Sequence, residues 1–281
     1  MDSLSAVLFG LASAVFFAFS SALEQHAAQQ EKPTRTLDPR LLLRLLHRPL
    51  WLFGWVPEAG GTILQAVALS YGALALVEPL LLSGVFMAIP LEAAMQRRRP
   101  HTRDLVVVAF GVVGLTAFLV TADPRAGVTR PSTGAWLAVG VGVAVVVAVS
   151  LLVAWRVRAA ARGVALGVAT GAMYGAAASL VKTLTDFFAD HPLAVLGHWQ
   201  LYALIVVGIA AVTLNQNAFQ GGPIAAPLTT IALIDPVAGV VIGTTAFHEQ
   251  LSASGPRIGA EVAAALVMTI CLCLASTTRT K

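Results

Sequence analysis

Nine predominantly apolar stretches, separated by short polar connections, run along the chain at 4–26, 50–71, 74–95, 104–122, 133–155, 163–185, 195–217, 223–247 and 258–277. Each reaches or approaches the roughly 20 residues that a helix rising about 1.5 Å per residue needs to cross a hydrocarbon core about 30 Å thick. The strict apolar–polar alternation of a membrane barrel is absent. Lipid offers open backbone groups no partner, so the pattern predicts helices throughout. The expected fold is an all-α integral membrane bundle of nine spans, forming a single domain over 1–281.

The polar connections set the orientation. With nine spans, one side collects Lys32, Arg35, Arg40, Arg44, Arg48, Arg97, Arg98, Arg99, Arg103, Arg156, Arg158, Arg162, Arg279 and Lys281, which is 14 of the 18 basic residues. The other side has Arg125, Arg130 and Arg257, with Lys182 just inside a span. The positive-inside rule then places the N-terminus outside and the C-terminus in the cytoplasm of a plasma-membrane protein. The connection 27–49 contains the leucine-rich basic run Arg40–Arg48, whose spacing predicts a short helix lying on the cytoplasmic leaflet.

Composition agrees with this pattern. Only 11% of the 281 residues are Asp, Glu, Lys or Arg, 57% are hydrophobic and the mean hydropathy is +0.81. A soluble domain carries about 25% charged residues. An ordinary soluble enzyme is therefore excluded. The net charge of +4 follows membrane orientation and does not point to a nucleic-acid partner. The two cysteines, Cys271 and Cys273, are two residues apart on a helix, so they point in different directions and do not bridge. The first apolar run is too long for a leader's core and lacks a basic flank, so it reads as a retained span. No phosphate-binding loop, nucleophile elbow or zinc-protease motif occurs. No enzyme activity and no cofactor are expected.

The chain also compares with itself. Gly10–Gln25 (GLASAVFFAFSSALEQ) resembles Gly167–Lys182 (GVATGAMYGAAASLVK), and Ala68–Leu76 resembles Ala218–Ala226, in the same order. The first unit is 1–122, the second 163–277, and the span 133–155 joins them. Five spans separate equivalent starts, so the two units have opposite orientation, as in many secondary transporters.

Four segments carry a family resemblance: Ala68–Leu80 (ALSYGALALVEPL), Ser179–Lys182, Leu214–Leu228 (LNQNAFQGGPIAAPL) and Phe247–Leu251. On these the chain resembles the drug/metabolite transporter superfamily, EamA-like, and in particular its nine-span NIPA-type branch. The resemblance covers nearly the whole chain. It departs at Gln96–Arg99, where the matching helix of the first unit ends without the family's Glu. The resemblance implies alternating-access movement of a small solute, and several NIPA-type relatives are described as magnesium transporters.

Ionisable residues inside spans are expensive, at about 3 kcal/mol each near the bilayer centre, and are functional candidates for that reason. Asp235 lies near the middle of its span and precedes Pro236, which removes a helix donor and releases the Ala232 carbonyl. A broken helix with an acid at the break is expected there. Glu58 precedes Gly60 and Gly61, and Gln65 lies two turns further on the same face. Asp235 and Glu58 are the expected ion- or proton-binding carboxylates, with Gln65 and Asn215 as uncharged solute contacts and Glu24 as a further candidate. Glu78 is expected to stabilise the N-terminus of its helix near the outer face. Lys182 is expected to pair with Asp186. Gly167, Gly171 and Gly175 predict one smooth packing face.

The expected function is a secondary transporter of a metabolite or organic cation, proton coupling included, with a water-filled, acid-lined hollow between its halves. A divalent-cation carrier is the first alternative. A non-transporting scaffold or lipid-handling protein is the second. The bilayer and a small-molecule or cation substrate are the expected partners, and the oligomeric state is open.

Overall fold

The computed structural model describes residues 3–29, 49–87, 102–219, 225–252 and 255–278. The basic run Arg40–Arg48 lies outside them. Among the described residues there are nine α-helices: α1 Ser3–Gln29, α2 Pro49–Tyr71, α3 Leu74–Leu81, α4 Thr102–Ala122, α5 Thr133–Arg156, α6 Ala159–Asp190, α7 Trp199–Ala218, α8 Ala225–Thr245 and α9 Gly255–Thr278. After a turn at Leu82 the chain is helical again over 83–87. A 3-10 segment, Pro192–Gly197, links α6 to α7. Extended pairing among the described residues is confined to one isolated bridge, Arg125 with Gln250.

Each helix falls on one of the apolar stretches. Five are long and apolar enough to cross a membrane on their own: Leu105–Ala122, Thr133–Arg156, Ala160–Asp190, Trp199–Ala218 and Ala226–Thr245. Their outward faces are apolar. On α5, Leu137, Val141, Val145, Val149 and Leu152 are exposed at helical spacing, and Phe110, Ile209 and Leu266 do the same on α4, α7 and α9. So wide an exposed apolar belt has no place in water. The protein is all-helical and has the build of a multi-pass membrane protein.

Burial ranks the helices. Over its crossing window α6 is 72% buried and α5 11% buried, so α6 is central and α5 peripheral. The tightest pairings are α1 with α2, α6 with α8, α4 with α9 and α6 with α7. Without a hydrophobic force between helices in lipid, close van der Waals fit must hold such pairs. The α6 glycines supply it, as the sequence predicts. A Cβ at Gly171 would lie 2.8 Å from Ile234 Cβ, and one at Gly175 would lie 2.7 Å from Ala238 Cβ and 3.0 Å from the Asp235 carbonyl oxygen.

One expectation fails. The helix break at Pro236 does not occur, because α8 runs without interruption from Ala225 to Thr245. Pro236 still lacks its N–H, but the packing of α6 on both sides of Asp235 keeps the backbone helical.

The connections at one end of the bundle are tied together. The Arg125 and Gln250 backbones exchange hydrogen bonds of 2.8 and 3.1 Å, Val128 N–H donates to the Phe247 carbonyl at 2.7 Å, and Ser252 N–H donates to that of Ala122 at 2.8 Å. Gly127 is required here, because a Cβ would collide with the Phe247 carbonyl. Nearby, Arg130 reaches two carboxylates at the end of α6: Nε donates to Asp186 at 2.5 Å and a terminal nitrogen donates to Asp190. The guanidinium also lies 4.6 Å over the Phe187 ring, which stacks on His198 at 3.6 Å. The bonds from Asp190 and then Asp186 raise Arg130 further above its ordinary value, so the cation persists at any working pH.

Two outcomes follow from this packing. Gly175→Val should separate α6 from α8 and cost about 1–3 kcal/mol, read as a lower melting temperature in detergent. Arg130→Ala should lower that temperature only slightly, and the difference should shrink by half or more in 1 M salt, where the screening length falls to about 3 Å.

Candidate functional site

The polar residues buried along α8 form two clusters. The inner one is built by α2, α3 and α8. Asp235 sits mid-helix on α8 with Gly171 and Gly175 packed around its backbone. Its carboxyl meets that of Glu78 on α3 within hydrogen-bonding reach. Gln65 on α2 donates from Nε2 to Glu78 Oε1 at 2.9 Å. Glu78 is only 2% exposed, and Asp235 Oδ1 is buried with no partner among the described residues. The close approach depends on Gly239, whose missing Cβ would lie 2.5 Å from Glu78 Cγ.

Two carboxyl groups in contact, Glu78 buried and Asp235 half-buried with its Oδ1 out of water, repel each other when both are charged. A proton between them or a cation beside them removes that conflict. The site can therefore hold a proton or small cation, and it can change its charge when its members separate.

The outer cluster is built by α6, the N-terminus of α3 and the segment after α8. Lys182 Nζ lies 2.5 Å from Glu249 Oε1, with side-chain exposures of 3% and 0%. Glu249 also accepts from the backbone N–H groups of Leu74 at 2.7 Å and Ala75 at 2.8 Å. It thereby caps α3 with a full negative charge, where the unbonded N–H groups of the first turn favour an anion. Lys182 donates further to the Gly72 carbonyl at 3.3 Å and lies 5.2 Å over the Phe247 ring. The turn after α8 aims Glu249 inward: His248 adopts a left-handed conformation, φ 53°, and Glu249 N–H returns to the Gly243 carbonyl at 2.9 Å.

These clusters revise several expectations. Glu78 does not stabilise the N-terminus of α3; Glu249 does, and Glu78 instead faces Asp235. Lys182 does not pair with Asp186, which Arg130 takes; it pairs with Glu249. Asp235 and Gln65 are brought to one site through Glu78. Glu58 is not part of it: half-buried on α2, it bonds the Ser20 hydroxyl of α1. Asn215 Oδ1 is buried without a partner among the described residues near the far end of α7, beside buried Gln216 and Asn217. Glu24 belongs to α1, but its side chain lies outside the described residues. The acid-lined hollow expected between the halves is replaced at this level by direct contact of Glu78 with α8. A cleft of about 400 Å³ does exist, but it lies between α5 and α7, lined by Trp136, Leu137, Gly140 and Trp199. Among the described residues no three His, Cys, Asp or Glu side chains converge as a metal cage.

A signal for Glu78 is present in the sequence. Glu78-Pro79 and Asp235-Pro236 are the same acid–proline pair, separated by the 157 residues that also separate Gly10 from Gly167. Matching Ala68–Leu76 with Ala218–Ala226 uses a different offset and hides this pair.

Comparison with known proteins adds little to this geometry. No protein-family model matches the chain. It is 27% identical over 251 residues, 89% of its own length and 86% of the relative's, to an uncharacterized protein of Corynebacterium glutamicum. No solved structure matches it.

Proposed function

We propose that the chain is a secondary transporter that moves a small solute, a metabolite or organic cation, across the plasma membrane by alternating access. Its proton-coupling group is the Glu78–Asp235 pair. In this reading the nine apolar stretches of the sequence each span the bilayer, with the N-terminus outside and the C-terminus in the cytoplasm. Helices α1–α4 and α6–α9 are inverted units joined by α5, as in the drug/metabolite transporter superfamily that the sequence resembles.

The observation that carries the reading is a carboxyl pair, with no cationic partner among the described residues, held between α3 and α8. Glu78 is on α3 and Asp235 on α8, at equal repeat positions. Direct packing of α4 on α9, the next matching pair, supports the same symmetry. Contacts of this kind between repeats are where secondary transporters place their sites. Joined, the two carboxyls hold a proton. As the units rock apart, each meets water, the proton leaves and the solute takes its place. Gln65 keeps Glu78 oriented through both states.

The test is reconstitution into liposomes loaded with a pH-sensitive dye, challenged with a panel of amines, metabolites and Mg²⁺. One or more organic solutes should drive proton movement through the native protein. Glu78→Gln and Asp235→Asn should each reduce it at least about tenfold, equivalent to about 1.4 kcal/mol of barrier. Glu58→Gln should stay within about threefold of native. Native rates in both Glu78→Gln and Asp235→Asn would overturn the assignment, and Mg²⁺ uptake without proton movement would favour a divalent-cation carrier.

A further inference from the structure

We infer that Lys182 and Glu249 form the outer gate of this carrier, an inference that rests on the transport reading. Both residues belong to the second half of the chain, on α6 and just beyond α8. Their partners in the first half are the Gly72 carbonyl and the N–H groups of Leu74 and Ala75, at the corner between α2 and α3. The ion pair thus bolts one half to the other. It does so one helical turn from Glu78, on the side where the 123–132 and 246–252 connections meet.

The chemistry suits a contact that must form and break. A buried ion pair gains Coulomb energy but loses the hydration of both ions, so against water the two nearly balance. Opening trades the pair and two capped N–H groups for water, at small net cost. Removing one partner while the gate is shut leaves a buried charge alone, and the closed state then fails. The surface beneath is shaped for sliding. Gly243 of α8 lies against the Glu249 carboxylate, and Gly239, one turn inward, lies against Glu78. A Cβ at either position would hold the carboxylate off the helix. Opening at Lys182–Glu249 would therefore expose the α3–α8 seam and, at its inner end, the carboxyl pair.

Ala75 reports on this path. It is fully buried, sits directly under Glu249 and precedes Glu78 by one turn. The experiment uses the full chain in sealed vesicles, with Cys271→Ala and Cys273→Ala as background and Ala75→Cys as reporter. A membrane-impermeant cationic thiol reagent is applied from each face in separate samples. A second reporter, Ala211→Cys, is buried in the α6–α7 packing away from the gate.

With the gate intact, both reporters should react slowly. Lys182→Ala and Glu249→Gln should each accelerate labelling of Ala75→Cys at least about tenfold from one face, leaving Ala211→Cys slow. Lys182→Arg should retain protection. Unchanged labelling of Ala75→Cys in both gate variants would overturn the gate. Equal acceleration at both reporters would also overturn it, because the pair would then hold the fold and not an opening. Labelling needs no cargo, so selective acceleration in a protein that moves no protons would preserve the gate and sink the proton-coupling assignment alone.

Discussion

A charge placed in a low-dielectric interior must find a partner, lose its charge or reach water, and this constraint organises the polar residues of the bundle. The two clusters along α8 meet it differently. Glu249 is satisfied four ways over, by an ammonium group, two backbone amides and the dipole of α3. Among the described residues Glu78 and Asp235 have no cation beside them; they have each other and one amide from Gln65. The first arrangement is complete within the protein. The second is complete only with something added.

Helix α8 makes both clusters possible because it carries glycines toward its neighbours. On one side it receives the smooth α6 face at Gly171 and Gly175. On the other, its own Gly239 and Gly243 let two carboxylates lie against it. A helix with side chains at those positions would stand further from α3, and the acids would lie apart across a gap. Packing and chemistry therefore depend on the same absent methyl groups.

Much of this was legible in the sequence. The apolar stretches located the helices of the described residues, five of them long enough to cross a bilayer, because lipid forces an apolar segment to satisfy its own backbone as a helix. The glycine spacing in α6 named its packing face for the same local reason. The polar partners were harder. Lys182 and Asp186 are one turn apart, so a local pairing was the natural expectation, but the Glu249 that displaces Asp186 is 67 residues away and is turned inward only by the reversal at His248. In sequence Glu78 has the place of an ordinary helix-start carboxylate near an interface, and only the packing of α3 on α8 gives it Asp235 as a neighbour. Pro236 suggests a break because proline weakens an isolated helix; packed between α6 and α3, α8 stays continuous through it.

The link between α2 and α3 has only Gly72 and Ala73 in it. So short a joint makes the two helices one elbow, and the Gln65–Glu78 hydrogen bond is internal to that elbow. The two acids are thus unequal in company: Glu78 shares its elbow with the amide that bonds it, whereas Asp235 is held on another helix. Any displacement of the elbow against α8 would strip Asp235 of its neighbour and leave Glu78 attended, an asymmetry built into the pair.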